Sequence, residues 1–451
     1  MSGYAEYREV NLPWLKAVPA HWEIRRNKNI FTEQKEIVGE RSADYTLLSL
    51  TLNGIIPRDM DGGGKFPESF DKYKIVKNGD MAFCLFDIDE TPRTVGLSGY
   101  NGMLTGAYTI MRVSNINARF IYYYYLALDN GKMLRPLYTG LRKTININTF
   151  QSTKVPVPPR EEQDQIVRFL DWKVSNINKL INIKKKEIKA IDALKRSMVS
   201  HAITRGLTTD APMKYSGVKW LGDIPQRWYT VPLYAIAQVK SINNCIDLPL
   251  MSVYLDAGVV PFVEREEKRT NATSKDLTNY QRVDPGDFVL NNQQAWRGSV
   301  GVSFHSGIVS PAYIVLSLDN TLDSHYANYL FRSRCMVDQY LVISRGVGSI
   351  QRNLYWSALK RVVVPIPSKK EQMEIVEYLD GLNNKFDDTI KKLTEEVAVL
   401  EEYKNKIIAD TVTGKIDVRG IEIPEYEFVD EDNDNVDENL EQGADEPPEE
   451  E

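Results

Sequence analysis

The sequence predicts two α/β globular domains related by a pseudo-twofold axis and joined by two long antiparallel coiled-coil helices, with a disordered acidic tail at the C-terminus. Three observations predict it. The stretch "VPVPPREEQDQIVRFLD" at 155–171 returns as "VPIPSKKEQMEIVEYLD" at 364–380. Apolar residues after each copy recur at steps of four and three. The charge changes abruptly near position 420, because residues 421–451 hold 15 Asp and Glu and no Lys or Arg.

The duplication extends far beyond its clearest stretch. "WLKAVPAHW" (14–22) returns as "WLGDIPQRW" (220–228), "LSLTLNGIIP" (48–57) as "MSVYLDAGVVP" (251–261), "NGD" (78–80) as "PGD" (285–287), and "TGAY" (105–108) as "SPAY" (310–313). Offsets of 203 to 207 in these parts settle at 209 from Val155 onward. A period this long excludes a solenoid and implies two copies of one module. Length itself is the constrained quantity in the helical half. The resulting divisions are 1–154 and 213–363 for the globular domains, 155–212 and 364–420 for the helical segments, and 421–451 for the tail.

In the globular segments, short strands such as "YTLLSL" and "RVVVPI" alternate with Gly, Asn and Asp turns, and helices such as "RFIYYYYLALDNG" follow late in each copy. Trp14, Trp22, Trp220 and Trp228, repeated with fixed spacing, are expected to anchor cores. The prolines of each lead-in enforce an extended backbone. A helix then starts, with Ser368 and Glu371 at capping-box spacing in the second copy.

The helical stretches carry a heptad seam. In the first it comprises Leu170, Val174, Ile177, Ile181, Ile188, Ile191 and Met198. In the second it comprises Leu379, Phe386, Ile390, Leu393, Val397, Leu400 and Ile407. Lys195 and Lys404 fall at equivalent seam positions, a pattern that specifies register. Residues 160–205 hold 11 basic and 6 acidic side chains and residues 369–415 hold 8 and 11, so the two helices have opposite sign and are expected to pair with each other. A pseudo-twofold axis makes that pairing antiparallel. The alternative is that each helix packs only on its own globular domain.

With the tail set aside, 56 Lys and Arg face 47 Asp and Glu, a basic body compatible with a polyanionic partner. The tail is too poor in apolar residues to repay ordering. It serves either solubility or competition with phosphates for basic grooves. Loops of mixed basic, amide and glycine character supply the candidate contacts. These are Arg93, Arg142 and Lys143 in the first copy, and Gln293, Gln294, Arg297, Arg345, Gln351, Arg352 and Asn353 in the second. Arg bridges O6 and N7 of guanine, and Asn or Gln bridges N6 and N7 of adenine, each with two hydrogen bonds.

Other chemistries find no footing. Cys84, Cys245 and Cys335 are isolated, as are the four histidines, so neither a disulfide framework nor a metal site is expected. No signal peptide or membrane span is read, which makes the cytoplasm the expected location. There is no G-x-S-x-G, no HExxH and no Walker loop; "GGGKF" (62–66) has Phe66 where Ser or Thr is required. No methyltransferase N-P-P-Y/F motif is present either. A non-catalytic binding subunit is the expectation.

The twice-used "P-x-P…EQ…IV…LD" lead-in, the "W-L-x-x-[VI]-P-x-x-W" start of each half, the "WRGSVG" and "SPAY" phrases, and the helix ends "AITRGL" and "TVTGKI" together resemble the specificity subunits of type I restriction-modification systems, over residues 8–420. The resemblance implies that each globular half is a target recognition domain reading one part of a split site in double-stranded DNA. It also implies that the helices space the readers and dock two methyltransferase (modification) subunits, with restriction/translocase subunits completing the assembly. S-adenosylmethionine, ATP and Mg2+ then belong to partner chains and this chain holds no cofactor. A stand-alone DNA-binding protein and a coiled-coil interaction scaffold remain the rival classes.

Overall fold

A computed structural model of the chain describes residues 2–58, 67, 69–138, 143–262, 276–347 and 351–430. They fall into two compact units, the first from the described residues within 2–186 and 393–430, the second from those within 187–392. Both long helices cross this division, so each unit contains a globular domain and half of each helix.

In the first unit a four-stranded antiparallel sheet has the order Phe31–Gln34, Thr109–Val113, Asp80–Phe83, Val95–Leu97. Successive side chains of a strand point to opposite faces. Met81, Phe83 and Met111 accordingly enter the large core beneath the helix Ala118–Asn130, while Ala82, Cys84 and Ile110 enter a second core with Leu48, Ile55 and Val76. Both faces are covered, which is why "MAFCL" reads as an unbroken apolar run. Burial pushes the Cys84 thiol up to about 11, leaving it an inert packing group.

The second unit repeats this plan strand for strand: Ala237–Val239, Tyr313–Leu318, Phe288–Asn291, Val300–Val302. Phe288, Leu290 and Leu316 face one core and Val289 and Val315 the other. Asn117 and Asp323 cap the helices that follow the two sheets, each accepting two backbone N–H groups. Of the four tryptophans expected to anchor cores, Trp22 and Trp228 are fully buried, while Trp14 and Trp220 are half-buried against the same two cores.

The duplicated "EQ" explains how each long helix is moored. Gln163 donates to the Pro158 carbonyl (2.8 Å) and accepts from the Asn117 N–H (2.8 Å), and Gln372 repeats this with Pro367 (3.0 Å) and Asp323 (2.7 Å). One amide thus fixes the lead-in and the start of the neighbouring helix together. Glu162 accepts from Trp22 Nε1 (2.9 Å) and Tyr4 OH (2.5 Å) and pairs with His21 (2.8 Å). Its counterpart Glu371 takes a bidentate fork from Arg227 (3.0 and 2.6 Å), and Trp228 Nε1 is left without a partner among the described residues. The capping box at Ser368 is therefore only half made: Ser368 Oγ accepts the Glu371 N–H (3.3 Å), but the carboxylate serves Arg227 instead of returning to the cap.

The long helices span Arg160–Arg205 and Lys369–Val412. Seam residues Leu170, Ile177, Ile181, Leu379, Leu393 and Ile407 are buried, and Val174, Ile188, Ile191, Met198, Phe386, Ile390, Val397 and Leu400 half-buried. Within the first unit the helices run antiparallel, since Asn178 meets Lys404 (3.3 Å) and Lys184 meets Glu396 (2.9 Å). Within the second, Lys195 pairs with Asp387 (2.6 Å). The two seam lysines thus reach positions that are themselves related by 209, Asn178 and Asp387.

Each helix ends on a left-handed glycine, Gly206 (φ +74°) and Gly414 (φ +77°). A side chain on Gly414 would meet Pro19 at 2.4 Å and Trp22 at 3.1 Å, so the helix end seats directly on the start of the first domain. Nearby, the Asp417 N–H donates to the Ser2 carbonyl (3.0 Å). The expectation of disorder from residue 421 is corrected for Ile421–Asp430, which lie extended along the first long helix. Ile421 and Ile423 pack against the large core, and the main chain of this strap, Ile421–Asp430, is hydrogen-bonded by side chains of the long helix. Residues 431–451, and "GGGKF", lie outside the described residues.

Candidate nucleic-acid interface

In the second unit, loops far apart in sequence converge on Trp296. The turn Ala295–Arg297 ends at Gly298, whose φ of +109° few other residues adopt, and this turns Arg297 back so that its guanidinium lies 4.7 Å from the Trp296 ring centre. The hairpin Arg345–Val347/Gln351–Asn353 brings Arg352 to 5.9 Å from the same ring. A backbone bond from Leu354 N–H to the Asn292 carbonyl (2.8 Å) ties the two loops together. Trp296 Nε1 donates to the Gln293 carbonyl (2.9 Å), which holds the ring in place near both arginines.

Around this centre Gln293, Arg297 and Arg345 are exposed and Gln294, Arg352 and Asn353 half-buried. Arg345 stands directly across the hairpin from Asn353. Gln351 lies on the strand, outside the residues whose side chains are described. Beside them opens a cleft of about 420 Å³ lined by Asn243, Gln281, Asn292, Tyr313 and Trp356, among others. The Oδ1 of Asn292 is buried with no hydrogen-bond partner among the described residues. Sequence reasoning missed this cleft, although Asn292 and Trp356 flank the two loops it selected.

The first unit is different. Arg93, expected at the DNA surface, has a side chain only 15% exposed, which donates to Asp129 (3.0 Å) and Asn130 (2.8 Å) on the helix behind the sheet. Asp129 is buried and also accepts from Thr94 and Lys132, so Arg93 is one member of a structural network. Lys143 is exposed in a left-handed conformation (φ +42°) and pairs with Glu90 (3.0 Å), whose hydrogen bond pushes the lysine pKa up. Arg142 lies outside the described residues.

The sequence profile of the family described as "Type I restriction modification DNA specificity domain" matches residues 70–190 and 225–399, more than half of the chain. The chain belongs to that family. It is a type I specificity subunit with two target recognition domains, one in each half of the chain. The MjaVIII type I restriction enzyme specificity subunit of Methanocaldococcus jannaschii is 24% identical over 441 residues, covering 92% of this chain and 98% of the relative. The MjaX counterpart in the same organism is 25% identical over 432 residues, 89% of this chain and 95% of its own length. In fold, the specificity subunit is similar to a chain from the solved structure described as "Structural basis underlying complex assembly and conformational transition of the type I R-M system". The TM-score is 0.58 at 14% identity, over 88% of this chain and 99% of the other. Among the described residues no helix is long and apolar enough to cross a membrane.

Proposed function

We propose that this specificity subunit reads a bipartite target in double-stranded DNA, one half-site per recognition domain, and that the two long helices act as an antiparallel coiled coil setting the spacer between the half-sites. The observation that carries the reading is the strand-for-strand duplication, with seam lysines Lys195 and Lys404 each reaching the position equivalent to the other's partner. A duplicated protein of this kind matches a duplex whose backbone is itself twofold symmetric.

In the second domain the readers are the exposed amide and guanidinium groups around Trp296, the arginines suited to guanine and the glutamines to adenine. Lys143, paired with an acid, serves as a phosphate contact at most. The chain itself is non-catalytic. Two methyltransferase subunits and restriction/translocase subunits supply the chemistry, with S-adenosylmethionine, ATP and Mg2+ held there, and the assembly works in the cytoplasm. Methylome sequencing of a host carrying the chain with its partner subunits tests this. The expected result is one split motif with a fixed spacer; a continuous motif, or no motif, overturns it.

A further inference from the structure

The strap Ile421–Asp430 occupies a surface that the duplication offers twice. Ser175, Asn178 and Asn182, at helical spacing on one face of the first long helix, are all at least nine-tenths buried beneath it. Ser175 Oγ donates to the Glu427 carbonyl (3.1 Å) and accepts the Val429 N–H (2.8 Å). Asn178 Nδ2 donates to the Val429 carbonyl (3.3 Å), and Asn182 Nδ2 to that of Asp430 (2.8 Å). Upstream, Gln165 Nε2 donates to the carbonyls of Val418 (3.0 Å) and Ile421 (2.8 Å). The Phe428 ring lies 5.9 Å from the Arg119 guanidinium.

Among the described residues, nothing covers the equivalent face of the second unit. Adding 209 to the three positions gives Asn384, Asp387 and Lys391, all exposed. The change at the middle position is informative. Asp387 needs only to accept from Lys195, whereas Asn178 must accept from Lys404 and donate to the strap at once. A carboxylate at 178 lacks the N–H for the second task. The first copy carries the residue that serves both.

The geometry points to a latch: residues 421–430 close one of two equivalent helix faces, so that two copies of a partner subunit load unequally, the second unit first and the first unit only after the strap lifts. This rests on the reading that a methyltransferase subunit docks on the helices of each unit. A site open only a fraction of the time binds with an affinity reduced by that fraction, so a strap seated nine-tenths of the time weakens the first-unit site about tenfold.

The test titrates the full chain with its methyltransferase subunit and follows one- and two-subunit complexes by native mass spectrometry. Two variants accompany it, a chain ending at Gly420 and Asn178→Asp, which keeps a partner for Lys404 and removes the strap donor. The full chain is expected to show two steps about tenfold or more apart, and both variants steps within about threefold. Hydrogen exchange in the absence of partner shows whether the strap is seated: the Val429 amide is protected in the full chain and loses protection in Ser175→Ala. Two subunits loading with the original disparity in both variants, or an unprotected Val429 amide in the full chain, overturns the latch alone. No variant binding any methyltransferase subunit overturns the function reading, and the latch with it.

Discussion

Arg93 and Arg297 have the same side chain, both sit in glycine-bearing loops, and they have opposite fates. Arg93 is spent on the buried Asp129, 36 positions away, and Arg297 lies on an exposed ring in its own turn. Nothing local to Arg93 announces Asp129, because the contact exists only once the sheet and helix have packed. Replacing Arg297 with Ala is expected to weaken cognate DNA binding by about 1–3 kcal/mol and to relax selectivity in one half-site. Arg93→Ala is expected to lower the unfolding midpoint while leaving the target unchanged. Paired binding and melting curves distinguish the two, and a shifted target in Arg93→Ala would return that residue to the interface. Glu162→Ala should cost about 2–4 kcal/mol in denaturant unfolding, because Trp22 Nε1 and Tyr4 OH lose a buried acceptor. Here the repeated letters were visible in the sequence and their task was not, since the partners lie 140 and 158 positions away.

At the scale of elements, the long helices were plain from periodicity, because a heptad pattern declares its own partner type within a few turns. The strap was invisible for the converse reason. Its polar contacts with the helix run through main-chain carbonyls and the Val429 N–H, groups that carry no sequence signature, so the acidic composition of the tail concealed the docking of Ile421–Asp430. Half-burial along the middle of the seam, at Ile188, Ile191 and Met198, contrasts with the closed packing of Ile177 and Ile181. Ile181→Ala is expected to cost about 2–5 kcal/mol by thermal or denaturant unfolding. Deleting residues 187–193, one heptad from one helix, moves Lys195 out of register with Asp387. The methylated motif should then acquire a different spacer or vanish. An unaltered spacer would show that the helices do not set it.

Across the whole molecule, the duplication was legible from end to end and the strand order confirms it in each unit. The inequality of the two copies was less legible: same folds, different loop chemistry, with cations near Trp296 in one and acid-paired cations in the other. Exchanging residues 1–154 for the first domain of another specificity subunit is expected to change one half-site only, and changes in both would refute modular reading. The chain ending at Gly420 carries the basic body without the 15 acidic residues beyond it. If those residues compete with phosphates, the slope of log affinity against log salt changes on truncation; an identical slope leaves solubility as their role.

The seating of Gly414 on Pro19 and Trp22, with Asp417 bonded to Ser2, has a topological consequence. Where the first unit brings Asp417 beside Ser2, the second has continuous polypeptide running from Gly206 toward Trp228. A permuted chain that fuses Asp417 to Ser2 through a short linker and opens between Leu207 and Pro212 should acquire the same helices and sheets. Such a ring, cut elsewhere, would have no room for residues 421–430, and both of its faces would stand equally bare.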